Sequence, residues 1–370
     1  MSALLAQNRR SGLFNDEHDA FRESVRTHLE RTVVGELEVW DRTKAVPREA
    51  LQAAAEHGFI GTGISEEHGG LGLEDPRFAV VVAEEAARVG ALGLALVLLA
   101  HDDVPVRALR GSALEAWTAP LATAEELATS ALDGRVRAEL AAGELVLHGV
   151  AEAAVNAAGA DVVIVAAAAD DGPVIAAVRT SDAGVGAEPT PPPIGLGAAG
   201  LGDIRFDGAR LPTDRVLASG GDAARMLESL RSGARVALAA MAAGSARAAL
   251  DITLEYVRDR RAFGQPIASF QNSRQLLGQV AAELEAAELM VDDCLSALVD
   301  GQLAPTRAAA VKVVATDVHA RAVDVGVQLH GGYGYIMEYA IAGAFADARF
   351  LRLHGGTTQA LLDEVGQGLA

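Results

Sequence analysis

The chain has little of several residue types, and each shortage excludes a class of protein. One cysteine in 370 residues, Cys294, excludes an intrachain disulfide and a metal site built from several thiolates. The formal charge of -19 argues against nucleic acid or an anionic membrane as a partner, because both require clustered lysine and arginine. No uncharged apolar run approaches the roughly 20 residues of a membrane-spanning helix. A small phosphate-bearing ligand is still compatible with this charge, since a few local cations suffice for it.

The amino-terminal segment, MSALLAQNRRSGLFNDEHDAF, lacks the basic start, the apolar core and the cleavage pattern of a signal peptide. Aromatic residues make up only 4% of the chain, whereas hydrophobic residues make up 50%. Alanine, valine, leucine and glycine therefore supply most of the core, and such small side chains favour closely packed helices. We expect a globular cytoplasmic protein.

The sequence divides into three stretches with different periodicity. FRESVRTHLERTV and the residues around it repeat apolar positions at helical spacing. DVVIVAAAA and GPVIAAVRT are short β-branched runs bounded by Gly, Asp and Pro, as in strands. Long alanine-rich helical segments then follow. The prediction is a mainly α, α+β protein with a helical domain over residues 1–122, a small β domain over 123–221 and a helical bundle over 222–370.

The segment DRRAFGQPIASFQ, residues 259–271, lies between two predicted helices. It contains the pair Arg260 and Arg261, a turn around Gly264 and Pro266, and the start of the next helix. Guanidinium groups beside a helix amino terminus can hold a diphosphate. The residues alone leave a second interpretation open, a solvated corner between two helices.

Two further segments carry glycine pairs. QLHGGYGYIMEY spans residues 328–339 and RLHGGTTQALL spans 352–362. Consecutive glycines permit a positive φ and a close approach of the backbone to a ligand, although a helix terminus has the same composition. The Gly-Gly-Thr-Thr turn itself contains no carboxylate, thiol or amine that could act on a ligand.

Taken in this order, these segments resemble the carboxy-terminal half of the acyl-CoA dehydrogenase family of flavoproteins. That family carries an Arg-x-x-Phe-Gly-x-Pro-Ile-x-x-Phe-Gln motif, found here at residues 260–271, and a Gln-x-x-Gly-Gly-x-Gly-Tyr motif, found at 328–335. SEEHGGLGL at 65–73 and FDGARLP at 206–212 extend the similarity upstream. The resemblance implies an amino-terminal helical domain, a central β domain and a carboxy-terminal four-helix bundle.

The resemblance also implies a chemistry and a cofactor. In the family a carboxylate removes the α proton of an acyl-CoA while the β hydrogen passes as hydride to the flavin. FAD lies at a subunit interface, where the carboxy-terminal motifs of a neighbour hold its adenosine and diphosphate end. The cofactor-binding residues implied here are Arg260, Phe263, Phe270, Gln271, Gln328, Gly331, Gly332, Thr357 and Gln359.

The catalytic carboxylate of the family is missing. It commonly precedes Gly-Thr in the last motif, where this chain has Gly355, and in another branch it precedes a recurrent arginine, where this chain has Ala234 before Arg235. His354 adjoins the first position, but packing is the more frequent role there. Asp347, Asp363 and Glu364 also lie nearby in sequence, and for them a structural or solvated role is expected. We therefore predict no catalytic residue and no metal site in this chain.

The β domain departs from the family as well. Members usually enter it through Thr-Glu-Pro-x-x-Gly-Ser-Asp, whereas residues 128–134 read ATSALDG, as if the loop were shortened. A second flavin contact, aromatic-Ile-Thr-Asn, corresponds to Ala-Ala-Val-Asn at 153–156. The stacking ring and the hydroxyl group are both absent.

These departures remove residues that would contact the chain's own flavin ring, whereas the motifs that would bind a neighbour's FAD are intact. That division predicts a non-catalytic subunit that completes the FAD site of a catalytic partner, as in α2β2 dehydrogenases acting on steroid side-chain CoA thioesters. The partner would then supply the base and bind most of the acyl-CoA. Two alternatives stay open: a self-sufficient homo-oligomer with a displaced base, and a flavin-free scaffold protein of the same fold.

Overall fold

The amino-terminal part of the fold is helical. The computed structural model describes residues 12–141 and 143–369, so the first half of the segment considered for a signal peptide lies outside the described residues. Asn15 starts the first helix, because its side chain accepts a hydrogen bond from the amide of His18 at 3.1 Å. The helices are α1 (Asp16–Thr32), α2 (Leu37–Thr43), α3 (Arg48–Glu56), α4 (Pro76–Arg88), α5 (Leu92–Asp102), α6 (Val104–Leu109) and α7 (Ala119–Ala122).

A seven-stranded sheet forms the centre of the chain. Its strands are β1 (Ala128–Ala141), β2 (Glu144–Ala154), β3 (Val162–Ala169), β4 (Gly172–Arg179), β5 (Val185–Pro189), β6 (Gly202–Pro212) and β7 (Val216–Ser219), in the order β5-β6-β2-β1-β3-β4-β7. The β1 and β3 pair is parallel and the other pairs are antiparallel. Residues 162–167 of β3 are buried on both faces, which explains why this strand is a continuous apolar run.

Residues 128–134 form a strand rather than the shortened loop that the sequence suggested. They belong to β1, which pairs with β3 from Ala128 to Ala131 and again from Val136, with a shift of register between the two segments. The four residues between them are accommodated as an irregularity of the strand. Residues 132–135 thus lie opposite Ala166 alone, so the segment expected to be a shortened loop is a bulge within the strand.

Five helices and a small hairpin complete the fold. They are α8 (Gly220–Asp259), β8 (Arg261–Ala262), β9 (Gln265–Pro266), α9 (Gln271–Val299), α10 (Pro305–His330), α11 (Ala340–Leu351) and α12 (Thr358–Gln367). α8, α9 and α10 pack against one another, and α11 and α12 pack against α10. This arrangement confirms the predicted fold class.

The helix α8 lies at the centre of the molecule. Its residues 236–242 share one hydrophobic core with α1, α4, α5, α9 and α10. Among the described residues it is the one helix long and apolar enough to span a bilayer, but 78% of its most apolar window is buried inside the protein. Its apolar character is therefore accounted for by its central position in the core.

A buried histidine joins the helical part to the sheet. The Nδ1 atom of His101 accepts a hydrogen bond from the amide of Ala128 at 3.1 Å, and Nε2 lies 3.0 Å from the carbonyl oxygen of Leu121. Burial lowers the pKa of His101 to about 4, so the ring is neutral and uses one nitrogen as donor and the other as acceptor. This contact fixes the start of β1 against α5 and α7.

Candidate active site and cofactor surface

The segment that follows α8 is a tight hairpin. β8 and β9 are joined by Phe263 and Gly264, whose φ angles of 51° and 84° are both positive, as a two-residue turn of this kind requires. Glycine adopts such an angle at no cost, whereas a phenylalanine is strained by it. The ring of Phe263 is nevertheless 97% exposed. The hairpin thus exposes the phenyl ring of Phe263 to solvent.

Arg260 connects this hairpin to the second motif. Its guanidinium carbon lies 5.3 Å from the centre of the Tyr333 ring, and Tyr333 belongs to the short turn Gly331–Tyr335 that follows α10. Arg260 is exposed, and within residues 12–141 and 143–369 its guanidinium group makes no hydrogen bond and no salt bridge. The structure therefore brings the two motifs together around an arginine whose donors are available.

The start of α9 is open beside this arginine. Phe270 precedes the helix and makes no side-chain cap, and the first turn contains no acidic residue. The first amides of a 29-residue helix therefore lack a side-chain partner, which gives the helix end an affinity for anions. Gln271 is exposed at that end, and the Phe270 ring meets Phe263 edge-on at 6.3 Å.

The end of α10 contributes the remaining residues of this surface. Gln328 lies exposed in its last turn. Gly331 has a φ of 62°, and a Cβ atom at Gly331 or Gly332 would point into open space. Nearby Tyr335 is 90% exposed. We call the set of Arg260, Phe263, Phe270, Gln271, Gln328, Gly331, Gly332 and Tyr333 the distal surface.

Thr357 and Gln359 lie elsewhere. The hydroxyl oxygen of Thr357 caps α12 by accepting from the amide of Ala360 at 3.3 Å, and Gln359 is exposed. Their loop contacts Lys312 near the start of α10, whereas the distal surface follows His330 at its end. At 1.5 Å per residue these two points are roughly 27 Å apart along the helix. The nine predicted cofactor residues therefore form two separate groups in one chain.

The loop at the predicted base position is tightly built. Gly355 has a φ of 71°, and a Cβ added there would lie 2.6 Å from Cδ1 of Leu238, a fully buried residue. Gly356 has a φ of 112°, and its Cβ would lie 2.7 Å from Leu361. A side chain at either position would require both a strained backbone and movement of a core leucine.

Two cations hold the carbonyl groups of this loop. The Nζ atom of Lys312, which is completely buried, donates to the Gly356 carbonyl at 2.7 Å. Nε of Arg235 lies 3.3 Å from the Gly355 carbonyl oxygen, while its two terminal nitrogens donate to Glu364 at 2.7 and 2.9 Å. Burial lowers the pKa of Lys312 to about 8, and the positive charge of Arg235 contributes to this decrease. The sequence offered one signal for Lys312, a lone lysine within the apolar run AAAVKVVA.

The titratable groups near the loop are all engaged or unsuited to act as a base. Both oxygens of Glu364 bind Arg235, and Asp363 bonds to Gln367 at 2.7 Å. Asp347 accepts from the Leu196 amide at 2.6 Å, and burial raises its pKa to about 7. His354 stacks on a phenylalanine, and burial, together with Lys312, lowers its pKa to about 4.

Ala234, the second base position, is half-buried and packs against the core cluster of α6 and the sheet. The next residue toward the start of the helix with a long polar side chain is Arg231, which sequence reasoning did not single out. Its Nε donates to the carbonyl oxygen of Leu132 in β1 at 3.1 Å. Position 234 itself therefore offers no carboxylate.

The β domain offers little to a flavin ring. The hydroxyl group of Thr129 donates to the Val155 carbonyl at 2.6 Å, so it is already used within the sheet. Val155 is buried in the main core, and Ala153 and Asn156 both have positive φ. Among the described polar atoms of this region, Nδ2 of Asn156 is buried without a partner.

These observations test whether the residues fit FAD. The distal surface combines an available guanidinium, an uncapped helix end and exposed aromatic rings, which suits a diphosphate and an adenine. Of the residues expected to meet this chain's own isoalloxazine ring, Thr129 is bonded within the sheet and the aromatic ring and hydroxyl group of the second contact are replaced by Ala153 and Val155, so that, in the described part of the chain, Asn156 alone keeps an unpartnered polar atom. The distal half fits FAD, and the proximal half does not.

Comparison with known proteins agrees with this fold. Family models described as "Acyl-CoA dehydrogenase, N-terminal domain" and "Acyl-CoA dehydrogenase, C-terminal domain" match residues 15–116 and 224–370, together more than half of the chain. A long-chain specific acyl-CoA dehydrogenase, mitochondrial, from Sus scrofa is 29% identical over 376 residues, covering 96% of this chain and 87% of the relative. A probable acyl-CoA dehydrogenase from Mycobacterium tuberculosis is also 29% identical and covers 93% of both chains.

Solved structures are similar over nearly the whole chain. A glutaryl-CoA dehydrogenase from Mycobacterium smegmatis in complex with FADH2 has a TM-score of 0.91 at 20% identity, with 100% of this chain and 98% of that chain covered. At that identity the likeness concerns the fold alone. An acyl-CoA dehydrogenase complexed with FAD from Bacillus anthracis has a TM-score of 0.86 at 27% identity, covering 96% of this chain and 67% of that one. The chain belongs to the flavin-dependent acyl-CoA dehydrogenase family.

Proposed function

We propose that this chain is a non-catalytic subunit of a heteromeric acyl-CoA dehydrogenase, of α2β2 type, and that it completes the FAD site of a catalytic partner. The observation that carries the proposal is the absence of a carboxylate at both base positions, at Ala234 on α8 and at Gly355 in a loop where Leu238 occupies the space beside the glycine. Loss of a general base costs about 10²- to 10⁴-fold in rate. A partner subunit would therefore supply the base.

The distal surface supports the second part of the proposal. Arg260 and the first amides of α9 would hold the diphosphate of an FAD whose ring lies in the partner, and the rings of Phe263 and Tyr333 would lie against its adenosine end. The bound cofactor would accept the hydride from the acyl chain. This chain's own residues would bind and orient the cofactor without taking part in proton transfer.

The substrate is an acyl-CoA thioester bound mainly by the partner. A steroid side-chain CoA is the candidate that the resemblance to two-subunit dehydrogenases suggests. A panel of steroid side-chain and straight-chain acyl-CoA substrates, assayed with the assembled complex, tests this choice. Faster turnover of straight chains would contradict it.

Co-expression with an acyl-CoA dehydrogenase encoded beside this gene tests the FAD role. Arg260→Ala should reduce the FAD retained by the complex at least about tenfold, the change expected when a charged hydrogen bond to a phosphate is lost. Arg210→Ala is the control, because Arg210 is an exposed β6 residue paired with Glu144. Equal FAD in both variants would contradict the proposal and favour the scaffold alternative.

The homo-oligomeric alternative has its own test. It requires the purified chain alone to bind stoichiometric FAD and to bleach with an acyl-CoA. Of the nearby groups, His354 adjoins the empty base position at Gly355 and is neutral at pH 7, although a pKa lowered to about 4 makes it a weak base. Bleaching by the chain alone, abolished in His354→Gln, would replace the proposed function.

A further inference from the structure

The stretches that the resemblance assigns to this chain's own flavin ring are bonded to one another. Thr129 donates to Val155, which links β1 to the end of β2. Arg231 donates to Leu132, which links α8 to β1. Arg235 lies against Gly355, which links α8 to the terminal loop. These three hydrogen bonds join the elements around the cleft, although Nδ2 of Asn156, Oγ of Ser232 and Oγ1 of Thr358 are buried without a partner among the described residues.

We propose that Arg231, one turn before the recurrent family arginine Arg235 on α8, closes this chain's own flavin cleft. The inference rests on the proposed function and extends it, because it gives a structural cause for a single FAD per heterodimer. The chain would then differ from a catalytic subunit in two respects. It lacks the base, and specific contacts close its own flavin site.

Arg231 forms the contact between the bundle and the sheet. Nε and Nη2 of its guanidinium both donate to the Leu132 carbonyl, at the point where β1 is irregular. A guanidinium in this position is half-buried and bridges α8 to the strand that replaces the family's flavin loop. A flavin ring entering between these two elements would have to displace it and leave that carbonyl group without a partner.

Arg235 forms the contact between the bundle and the terminal loop. Its side chain is 9% exposed, and Glu364 neutralises it through two parallel hydrogen bonds, a geometry that fixes the guanidinium plane. Lys312 fixes the next carbonyl group of the loop. Arg235, paired with Glu364, therefore holds the loop against α8, and Lys312 holds it against α10.

A third arginine closes the opposite side of the same segment of α8. The guanidinium of Arg107 in α6 donates to the Leu230 carbonyl at 2.9 Å. It lies so close to Gly233 that a Cβ there would be 2.7 Å from its Nη2 atom. α6 and α8 are therefore in direct contact along this segment.

Hydrogen exchange measured by mass spectrometry tests the closure on the purified full-length chain. With 100 µM FAD added, peptides covering 128–136 and 353–358 of the wild type should exchange as they do without FAD. Arg231→Ala should speed exchange of the 128–136 peptide about tenfold, the change expected when a charged contact is lost. Arg225→Ala is the matched control, because Arg225 lies on the same helix with a 77% exposed side chain.

Two results would overturn the inference. Protection of 128–136 or 353–358 by FAD in the wild type would mean that the cleft admits a flavin. Equal exchange in Arg231→Ala and Arg225→Ala would mean that Arg231 does not hold the cleft. Arg231→Lys, which keeps one donor, provides a folded comparison should the alanine variant unfold. Failure of the proposed function is distinguishable, since it appears in the FAD content of the Arg260→Ala complex.

Discussion

At the scale of single residues, Phe263 combines backbone strain with nearly complete exposure. A phenyl ring on a left-handed turn residue contributes nothing to the core of this chain, and glycine would suit the backbone better. Strained and exposed aromatic residues are typical of binding surfaces. A substitution at Phe263 can therefore weaken binding without lowering the stability of the chain.

Phe263→Gly should leave the free energy of unfolding within about 1 kcal/mol of the wild type, because relief of strain offsets the added flexibility of the unfolded chain. The same variant should weaken assembly with the partner, or retention of FAD, at least about tenfold. Chemical denaturation and the FAD content of the complex measure the two effects. Phe263→Tyr, which keeps the ring, should restore binding, and a loss of stability without a loss of binding would contradict the assignment.

His319 is a second residue whose chemistry is not satisfied by its surroundings. It is completely buried in α10, neither ring nitrogen has a hydrogen-bond partner within the described residues, and burial lowers its pKa to about 4. The unfolded chain binds a proton near pH 6.5 and the folded chain does not, so this residue destabilises the fold as the pH falls from about 6.5 to 4.

His319→Leu should therefore stabilise the protein. The gain should be about 1 kcal/mol at pH 7, from removal of unpaired polar atoms, and should grow by about 2 kcal/mol between pH 7 and pH 5. Urea denaturation of both proteins at the two pH values measures this difference, since all other titrating groups are shared. A difference that stays constant with pH would contradict the account.

At the scale of elements, contacts from α8 and α10 fix the conformation of the loop between α11 and α12. Lys312 and Arg235 come from α10 and α8, and Leu238 from α8 lies where a side chain at Gly355 would begin. Restoring a carboxylate in this loop therefore alters packing as well as chemistry.

Gly355→Glu should lower the free energy of unfolding by about 1–3 kcal/mol, because it combines a positive φ with a displaced core leucine. Gly366→Glu in α12 is the matched control, since a Cβ there meets nothing within 4 Å, and its effect should stay within about 0.5 kcal/mol. The Gly355→Glu variant should also gain no dehydrogenase activity. Equal stabilities of the two variants, or strong activity, would contradict this description of the loop.

Elements differ in how far the sequence could predict them. The helices α8, α9 and α10 and the strands β2, β3, β4 and β6 follow from period and composition, because each has a long apolar repeat or a β-branched run. β1 was not predicted, because residues 128–134 were interpreted as a shortened loop and the pairing with β3 is interrupted by an irregularity that local sequence does not encode. β5 and β7 are short edge strands defined by their neighbours.

The candidate site was predictable as separate motifs but not as a geometry. Turn glycines and paired arginines marked the segments, and the family resemblance supplied the residues of the distal surface apart from Tyr333. The sequence could not indicate that Thr357 and Gln359 lie at the other end of α10, nor that Arg231 meets Leu132, because those relations depend on packing between distant elements.

At the scale of the whole molecule, the two halves of a flavin site differ in whether their polar groups are available to a ligand. The distal surface exposes an available arginine, an open helix end and bare aromatic rings. The proximal cleft is sealed by hydrogen bonds and lacks a base. A chain that binds a cofactor only through its distal surface requires a second subunit to hold the ring.

The ratio of FAD to protein in the co-expressed, purified complex shows directly whether this chain needs a second subunit to hold the flavin ring. Native mass spectrometry and flavin absorbance on the same sample give the subunit composition and the number of cofactors. The account predicts an α2β2 particle with two FAD, one for each heterodimer. Four FAD in that particle, or stoichiometric FAD on this chain alone, would contradict it.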